Sequence, residues 1–119
     1  MNLYSIDFQH WSQKDSKKGI KGFVLAPDDE AVLDWFLAND KLNGLEVWAG
    51  MHWKDGLSDG DIKRKRLLKK RGQLYDKKKY ENITDRYYGV TLYGWSLVTE
   101  NVSDVEAAVL MKTGCAVQA

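Results

Sequence analysis

Most of the positive charge of this 119-residue chain lies in one stretch, residues 61–80, and this limits where a hydrophobic core can form. The stretch holds ten of the 18 basic residues and two of the 17 acidic residues, so its net charge is +8. The other 99 residues sum to −7, and the total of +1 conceals the segregation. Charged side chains are seldom fully buried, so the core has to come from the rest of the chain. A local field of this kind attracts phosphates or acidic surfaces.

The remaining sequence is rich enough in apolar residues for one core. Hydrophobic residues make up 44% of the chain, and five of them are Trp. A chain of this length fits one domain. We therefore predict a single α+β domain over residues 1–119, with an exposed basic insertion at about 55–86.

Strand signals come first along the chain. Residues 3–12 alternate with a period of two, which places Tyr4, Ile6, Phe8 and His10 on one face. Residues 20–26 form a second apolar run after a polar turn, so an antiparallel hairpin is predicted. Two more strands are predicted over residues 45–53 and 87–98, where Gly94 permits a close approach or a bulge.

Two helices are predicted from their start signals. Pro27 at a first helical position, followed by acidic residues, begins one helix, and Ala31, Val32, Trp35 and Phe36 form its apolar stripe. Ser103 and Glu106 have capping-box spacing ahead of the second helix, and Gly114 closes it. The resulting order is strand, strand, helix, strand, basic insertion, strand, helix. It predicts a four-stranded, mostly antiparallel sheet with two helices packed on one face.

The basic stretch is predicted to contain a helix over about 61–71, with Gly72 at its carboxyl end. Its apolar residues Ile62, Leu67 and Leu68 point in different directions, so no stripe forms at 100° per residue. A helix that is polar all round is exposed, or bridges two parts, or forms only on binding. We therefore expect this helix to stand free of the core.

The first functional hypothesis is a small, non-enzymatic binding protein that grips an anionic partner, with nucleic acid favoured. Clustered cations neutralise phosphates, and nearby aromatic rings stack on bases. No known base-reading motif is present. The candidate contact residues are Lys63, Arg64, Lys65, Arg66, Lys69, Lys70, Arg71, Lys77, Lys78, Lys79, Tyr75, Tyr80 and Trp48.

Two other interpretations of the same charge stay open. The partner could be an acidic protein surface. Alternatively, the basic helix could be a solvated helix or pack against the chain's own carboxylates. Those carboxylates are Asp28, Asp29, Glu30 and Asp34.

A second hypothesis belongs to another class. Small size, one domain and the lack of catalytic motifs are typical of phage or mobile-element accessory proteins, which would bind and inhibit a host protein through the face carrying Trp48. A small enzyme is the third hypothesis. It would need His10 or His52 to meet Asp7 or Asp55 in a deep pocket. The His and Cys residues show no metal-ligand spacing. The sequence therefore predicts no catalytic residue, no metal site and no cofactor.

The cellular location is predicted from the lack of targeting signals and from the single cysteine. The chain has no signal-peptide pattern and no apolar run long enough for a membrane helix, so no membrane partner is expected. A single Cys115 forms no internal disulfide and fits a reducing compartment. These features predict a cytoplasmic protein, and they set no oligomeric state.

Overall fold

The fold is seen in a computed structural model that describes residues 1–11, 19–39, 47–48, 59–73, 90–92 and 94–119. The described chain runs through strands and helices in the order β1 (Asn2–Trp11), β2 (Gly19–Ala26), α1 (Asp29–Asn39), β3 (Val47–Trp48), α2 (Asp59–Lys70), β4 (Val90–Leu92), β5 (Trp95–Thr99), α3 (Asp104–Lys112) and β6 (Val117–Gln118). This is the predicted α+β class, with helices packed on a sheet.

The first two strands form the predicted hairpin. β1 and β2 pair antiparallel, with Asn2 opposite Ala26 and Gln9 opposite Gly19. Tyr4, Ile6 and Phe8 are all buried, which confirms the face predicted from their alternation. The period-two pattern was therefore sufficient to identify the buried side of β1.

The predicted strand over 87–98 lies along the other edge of β1 in two pieces. Leu92 of β4 stands opposite Gln9 and Trp95 of β5 stands opposite Ile6, so the two pieces keep one register. Gly94 lies between them and accepts a hydrogen bond from the Asp7 backbone N–H at 2.6 Å. Gly94 thus permits the close approach of two backbones. The shift in register between β1 and β5 occurs later, after residue 97.

The sheet is mixed, because its centre is antiparallel while two short strands pair in parallel with their neighbours. The hydrogen-bonded order is β3-β4-β1-β2-β6, with β5 also pairing β1. β1, β2, β4 and β5 form the antiparallel centre, while the two-residue strands β3 and β6 pair in parallel with β4 and β2. Parallel neighbours require crossover connections, and the helices provide them. β6 was not predicted, because two residues carry no measurable alternation.

The prediction of two helices on one face is wrong. Phe36 of α1 packs with Phe8 on one side of the sheet, whereas Ala107 of α3 packs with Leu25 on the other. The chain leaves β2 through α1 toward the β3 edge, and it leaves β5 through α3 toward the β6 edge. β2 and β5 run in the same direction. Two crossovers of the same handedness that leave such strands toward opposite edges of the sheet place their helices on opposite faces.

The helix ends follow the predicted chemistry with one correction. Pro27 is not the first residue of α1, because Asp28 is the N-cap before Asp29 and its carboxylate accepts the Ala31 N–H at 2.9 Å. Ser103 and Glu106 form the predicted capping box of α3, with bonds of 3.1 and 3.2 Å. Gly114 follows α3 with a positive φ of 74°, as predicted for a closing glycine.

Replacement of Gly94 by alanine is expected to destabilise the sheet. A Cβ at this position would lie 2.9 Å from the carbonyl carbon of Asp7 and nearer still to its oxygen. Overpacking of this kind costs about 1–3 kcal/mol. Urea unfolding of Gly94→Ala measures the loss, with Ser96→Ala on the adjoining strand β5 as the control. Equal stability of the two variants would contradict the close approach.

Removal of the capping box is expected to weaken α3 in a pH-dependent way. Hydrogen bonds from Ser103 lower the pKa of Glu106. The ionised carboxylate therefore stabilises the folded protein at pH values above its ordinary pKa, and this stabilisation is lost as the pH falls through the lowered pKa. Ser103→Ala is expected to cost about 1 kcal/mol at neutral pH. Thermal melts at several pH values should show the gap to wild type narrowing in acid, and a gap independent of pH would argue against the pair.

Candidate functional site

The basic helix is present where the sequence predicted it. α2 covers Asp59–Lys70 and is followed by Gly72, whose φ is 69°. The Gly72 N–H bonds to the Lys69 carbonyl at 3.1 Å, and the Gln73 N–H bonds to the Leu68 carbonyl at 2.8 Å. This pair of bonds is a Schellman motif, which satisfies the last carbonyls of the helix. The carboxyl end of α2 is therefore defined by its own sequence.

The expectation that α2 stands free of the core is wrong. Leu68 is fully buried and belongs to the same core cluster as Phe8 and Phe36. Arg64, one turn earlier, is only 5% exposed, and Leu67 is partly buried against the same cluster. Positions 64, 67 and 68 form one side of α2, and Arg71 continues that side just past the end of the helix. We call this side the inner face.

The inner face was missed because one of its members is an arginine. The aliphatic part of an arginine side chain packs like an apolar residue while its guanidinium stays polar. The guanidinium carbon of Arg64 lies 5.7 Å from the ring centre of Trp95, which is within cation–π range. Gly60 lies one turn before Arg64, and a Cβ there would come within 3.0 Å of the guanidinium. A glycine at position 60 thus leaves room for the buried cation.

A carboxylate of α1 neutralises this buried charge. The Nε of Arg64 donates to Oδ1 of Asp29 at 3.2 Å, and the Asp29 side chain is 25% exposed. A buried cation without a partner would carry a large desolvation cost. The Asp29 contact therefore makes the inward position of Arg64 tenable.

A second ion pair joins the middle of α1 to the residue that follows α2. Nη1 of Arg71 donates to Oδ1 of Asp34. This bond lowers the pKa of Asp34 and raises that of Arg71. Both groups are accessible to solvent, so screening by salt weakens the pair. Two of the predicted contact residues, Arg64 and Arg71, are thus engaged by the chain's own carboxylates, as one of the open interpretations held.

The remaining cations of α2 lie on its opposite side, which we call the outer face. Lys63, Arg66, Lys69 and Lys70 are exposed and make no ion pair with a carboxylate in the described part of the chain. Lys65 is also exposed, and it lies at the border between the two faces. The helix therefore presents four cations outward while its other side is held by the core.

Some predicted contact residues lie outside the described residues. They are Tyr75, Lys77, Lys78, Lys79 and Tyr80. Trp48 is described only by its backbone in β3, which pairs with β4. Their roles stay predictions.

The described residues contain no catalytic centre of the kind that the small-enzyme hypothesis requires. A pocket of about 200 Å³ lies beside β2 and is lined mainly by apolar side chains, including Trp35, Phe23 and Val117, with no histidine or aspartate among its walls. Within the described part of the chain, no group of His, Cys, Asp and Glu could hold a metal ion. The side chains of His10, His52 and Asp55 lie outside it. None of the helices described is long and apolar enough to cross a membrane.

Comparison of whole sequences shows that this chain is similar to a prophage-derived protein. One relative is the SPbeta prophage-derived uncharacterized protein YoqY of Bacillus subtilis (strain 168), which is 31% identical over 134 aligned positions. The alignment covers 99% of this chain and 98% of the relative, so this chain belongs to that relative's family. No family model matches the sequence, and no solved structure matches it.

The inner face predicts a large effect for one leucine of the basic helix. Leu68→Ala removes a fully buried side chain, and such changes cost about 2–5 kcal/mol. Leu67→Ala is the matched control, since Leu67 is only partly buried, and its loss should be smaller. Urea unfolding followed by tryptophan fluorescence measures both. If the two variants were equally stable, α2 would not dock through Leu68.

Proposed function

We propose that this protein binds a polyanion, with nucleic acid favoured, through the outer face of α2. The observation that carries the proposal is the division of the helix into two sides. Leu68 and Arg64 hold the inner face against the core, and the exposed outer face carries Lys63, Arg66, Lys69 and Lys70. The proposed contact set therefore no longer includes Arg64, which is buried.

The spacing of these cations suits a row of phosphates. Lys63, Arg66 and Lys70 recur at three and four residues, so they share one side of the helix. At 1.5 Å per residue, the row from Lys63 to Lys70 extends about 10 Å. Duplex DNA carries one charge per about 1.7 Å of its axis, so this row would face several phosphates. The helix is already folded onto the core, which reduces the entropy lost on binding.

Phosphate contacts position a protein on a nucleic acid but carry no sequence information. The cations of the outer face share their side of the helix with Asp59 and Ile62, and no known base-reading motif surrounds them. We therefore propose binding that depends on charge and salt and that is indifferent to sequence.

An acidic surface of a host protein is the second candidate for the same outer face. The similarity to a prophage-derived protein is the observation that supports this candidate. Complementary charge would speed and orient such a contact. Nuclease treatment separates the two candidates, since it would abolish only a complex that contains nucleic acid.

Reversal of single charges tests the proposal. Lys63→Glu is expected to weaken binding to duplex and single-stranded DNA or RNA and to lower the slope of log affinity against log salt by about one. Lys21→Glu is the matched control, because Lys21 is an exposed lysine on β2 rather than α2. Fluorescence anisotropy over a salt series measures the slope. Addition of Arg66→Glu should lower it further.

The proposal fails if wild type does not bind nucleic acid at low salt, or if Lys63→Glu and Lys21→Glu bind equally. A protein partner whose capture is lost in Lys63→Glu and survives nuclease would favour the second candidate instead. Circular dichroism confirms that each variant is folded.

A further inference from the structure

The two arginines that pair with α1 are held in different ways. Arg64 is buried and is fixed from two sides, by the carboxylate of Asp29 and by the ring of Trp95. The Arg71 side chain is 29% exposed, and the side chain of its partner Asp34 is 62% exposed. Arg64 therefore belongs to the interior, whereas Arg71 is held by a contact that solvent and ligands can reach.

Arg71 lies at the carboxyl end of the outer face, on the flank toward α1. It directly follows Lys70, the last cation of the outer row. Its backbone N–H bonds to the Leu67 carbonyl at 3.1 Å, so the helical backbone continues through it. Its side chain leaves the helix about 100° from that of Lys70. A polyanion that runs along the row and passes Lys70 therefore meets the Arg71 guanidinium and the Asp34 carboxylate together.

The pair makes this flank of the outer face electrically neutral. The hydrogen bond between the two side chains lowers the pKa of Asp34 and raises the pKa of Arg71, so both stay ionised at neutral pH. Glu30, one turn before Asp34 on α1, is also exposed and adds a further negative charge near Arg71. Affinity for a polyanion and its salt dependence follow the number of phosphates that cations neutralise. A pair with no net charge adds nothing to that number.

We infer that the Asp34–Arg71 pair is an autoinhibitory contact, which withholds a fifth phosphate-binding cation from the outer face. The inference rests on the function proposed above, because it concerns the same site. The withheld group is a strong phosphate ligand, since a planar guanidinium donates two parallel hydrogen bonds to a phosphate where a lysine acts as a point charge. Asp34 therefore limits the affinity that the outer face can reach.

A phosphate gains little by displacing Asp34 from Arg71. The carboxylate left unpaired would stand beside the polyanion, and the two negative charges would repel each other. The contact therefore opens when Asp34 loses its charge, and a substitution at position 34 imitates that loss.

Asp34→Asn tests the inference, because it removes the charge and keeps the size of the side chain. Fluorescence anisotropy with a labelled DNA duplex and a labelled single strand should show affinity about tenfold above wild type at about 0.1 M salt, and a slope of log affinity against log salt steeper by about one. Asp104→Asn is the matched control. It makes the same change in net charge, but Asp104 is exposed on α3, across the sheet from α1, so affinity and slope should stay near wild type.

A double variant identifies Arg71 as the source of the gain. Asp34→Asn combined with Arg71→Gln makes the flank neutral again, so affinity and slope should return to the values of wild type. If the gain came only from the loss of repulsion by Asp34, the double variant would keep it. Circular dichroism and thermal melts check that each variant is folded, since the pair also joins α1 to the end of α2.

Three results would overturn the inference and leave the proposed function in place. In each of them wild type binds, but Asp34→Asn gains no affinity, or Asp104→Asn gains as much, or the double variant retains the gain. If wild type and Asp34→Asn both fail to bind at low salt, the proposed function is wrong and the inference falls with it. The two failures are therefore distinguishable.

Discussion

The contact of Arg64 with Asp29 and Trp95 determines how the rest of the molecule is arranged. One guanidinium links the first turn of α1, the middle of α2 and the beginning of β5. A buried cation has to keep its partner, because an unpaired charge in the interior is far more costly than an exposed one. The contact therefore orients α2 about its axis, and that orientation decides which lysines face outward.

The elements with strong local patterns could be predicted from the sequence. Alternation along β1 gave its buried side, and the capping box at Ser103 gave the start of α3. Gly72 and Gly114 marked helix ends, since a left-handed backbone favours glycine there. These features depend on neighbours within a few residues, so one sequence contains what is needed to find them. The cations of the outer face were also found from the sequence, because their clustering is a local feature.

The arrangement of these elements could not be predicted, because it depends on distant residues. The side of the sheet that α3 covers follows from the direction of its crossover and from β6, a strand too short to show a pattern. The docking of α2 depends on Asp29 and Asp34 of α1, which pair with the buried Arg64 and the more exposed Arg71. A hydrophobicity pattern assigns an arginine to the exposed side of a helix. Its side chain becomes part of a core only where a partner carboxylate neutralises the guanidinium.

The two sides of α2 also restrict the length of that helix. One residue inserted between Arg64 and Leu68 would rotate them by about 100° relative to each other, since an α-helix has 3.6 residues per turn. Only one of them could then reach its place in the interior, and a lysine would be turned toward Trp95. Substitutions on the outer face leave this alignment intact, whereas an insertion or deletion would disrupt both sides at once.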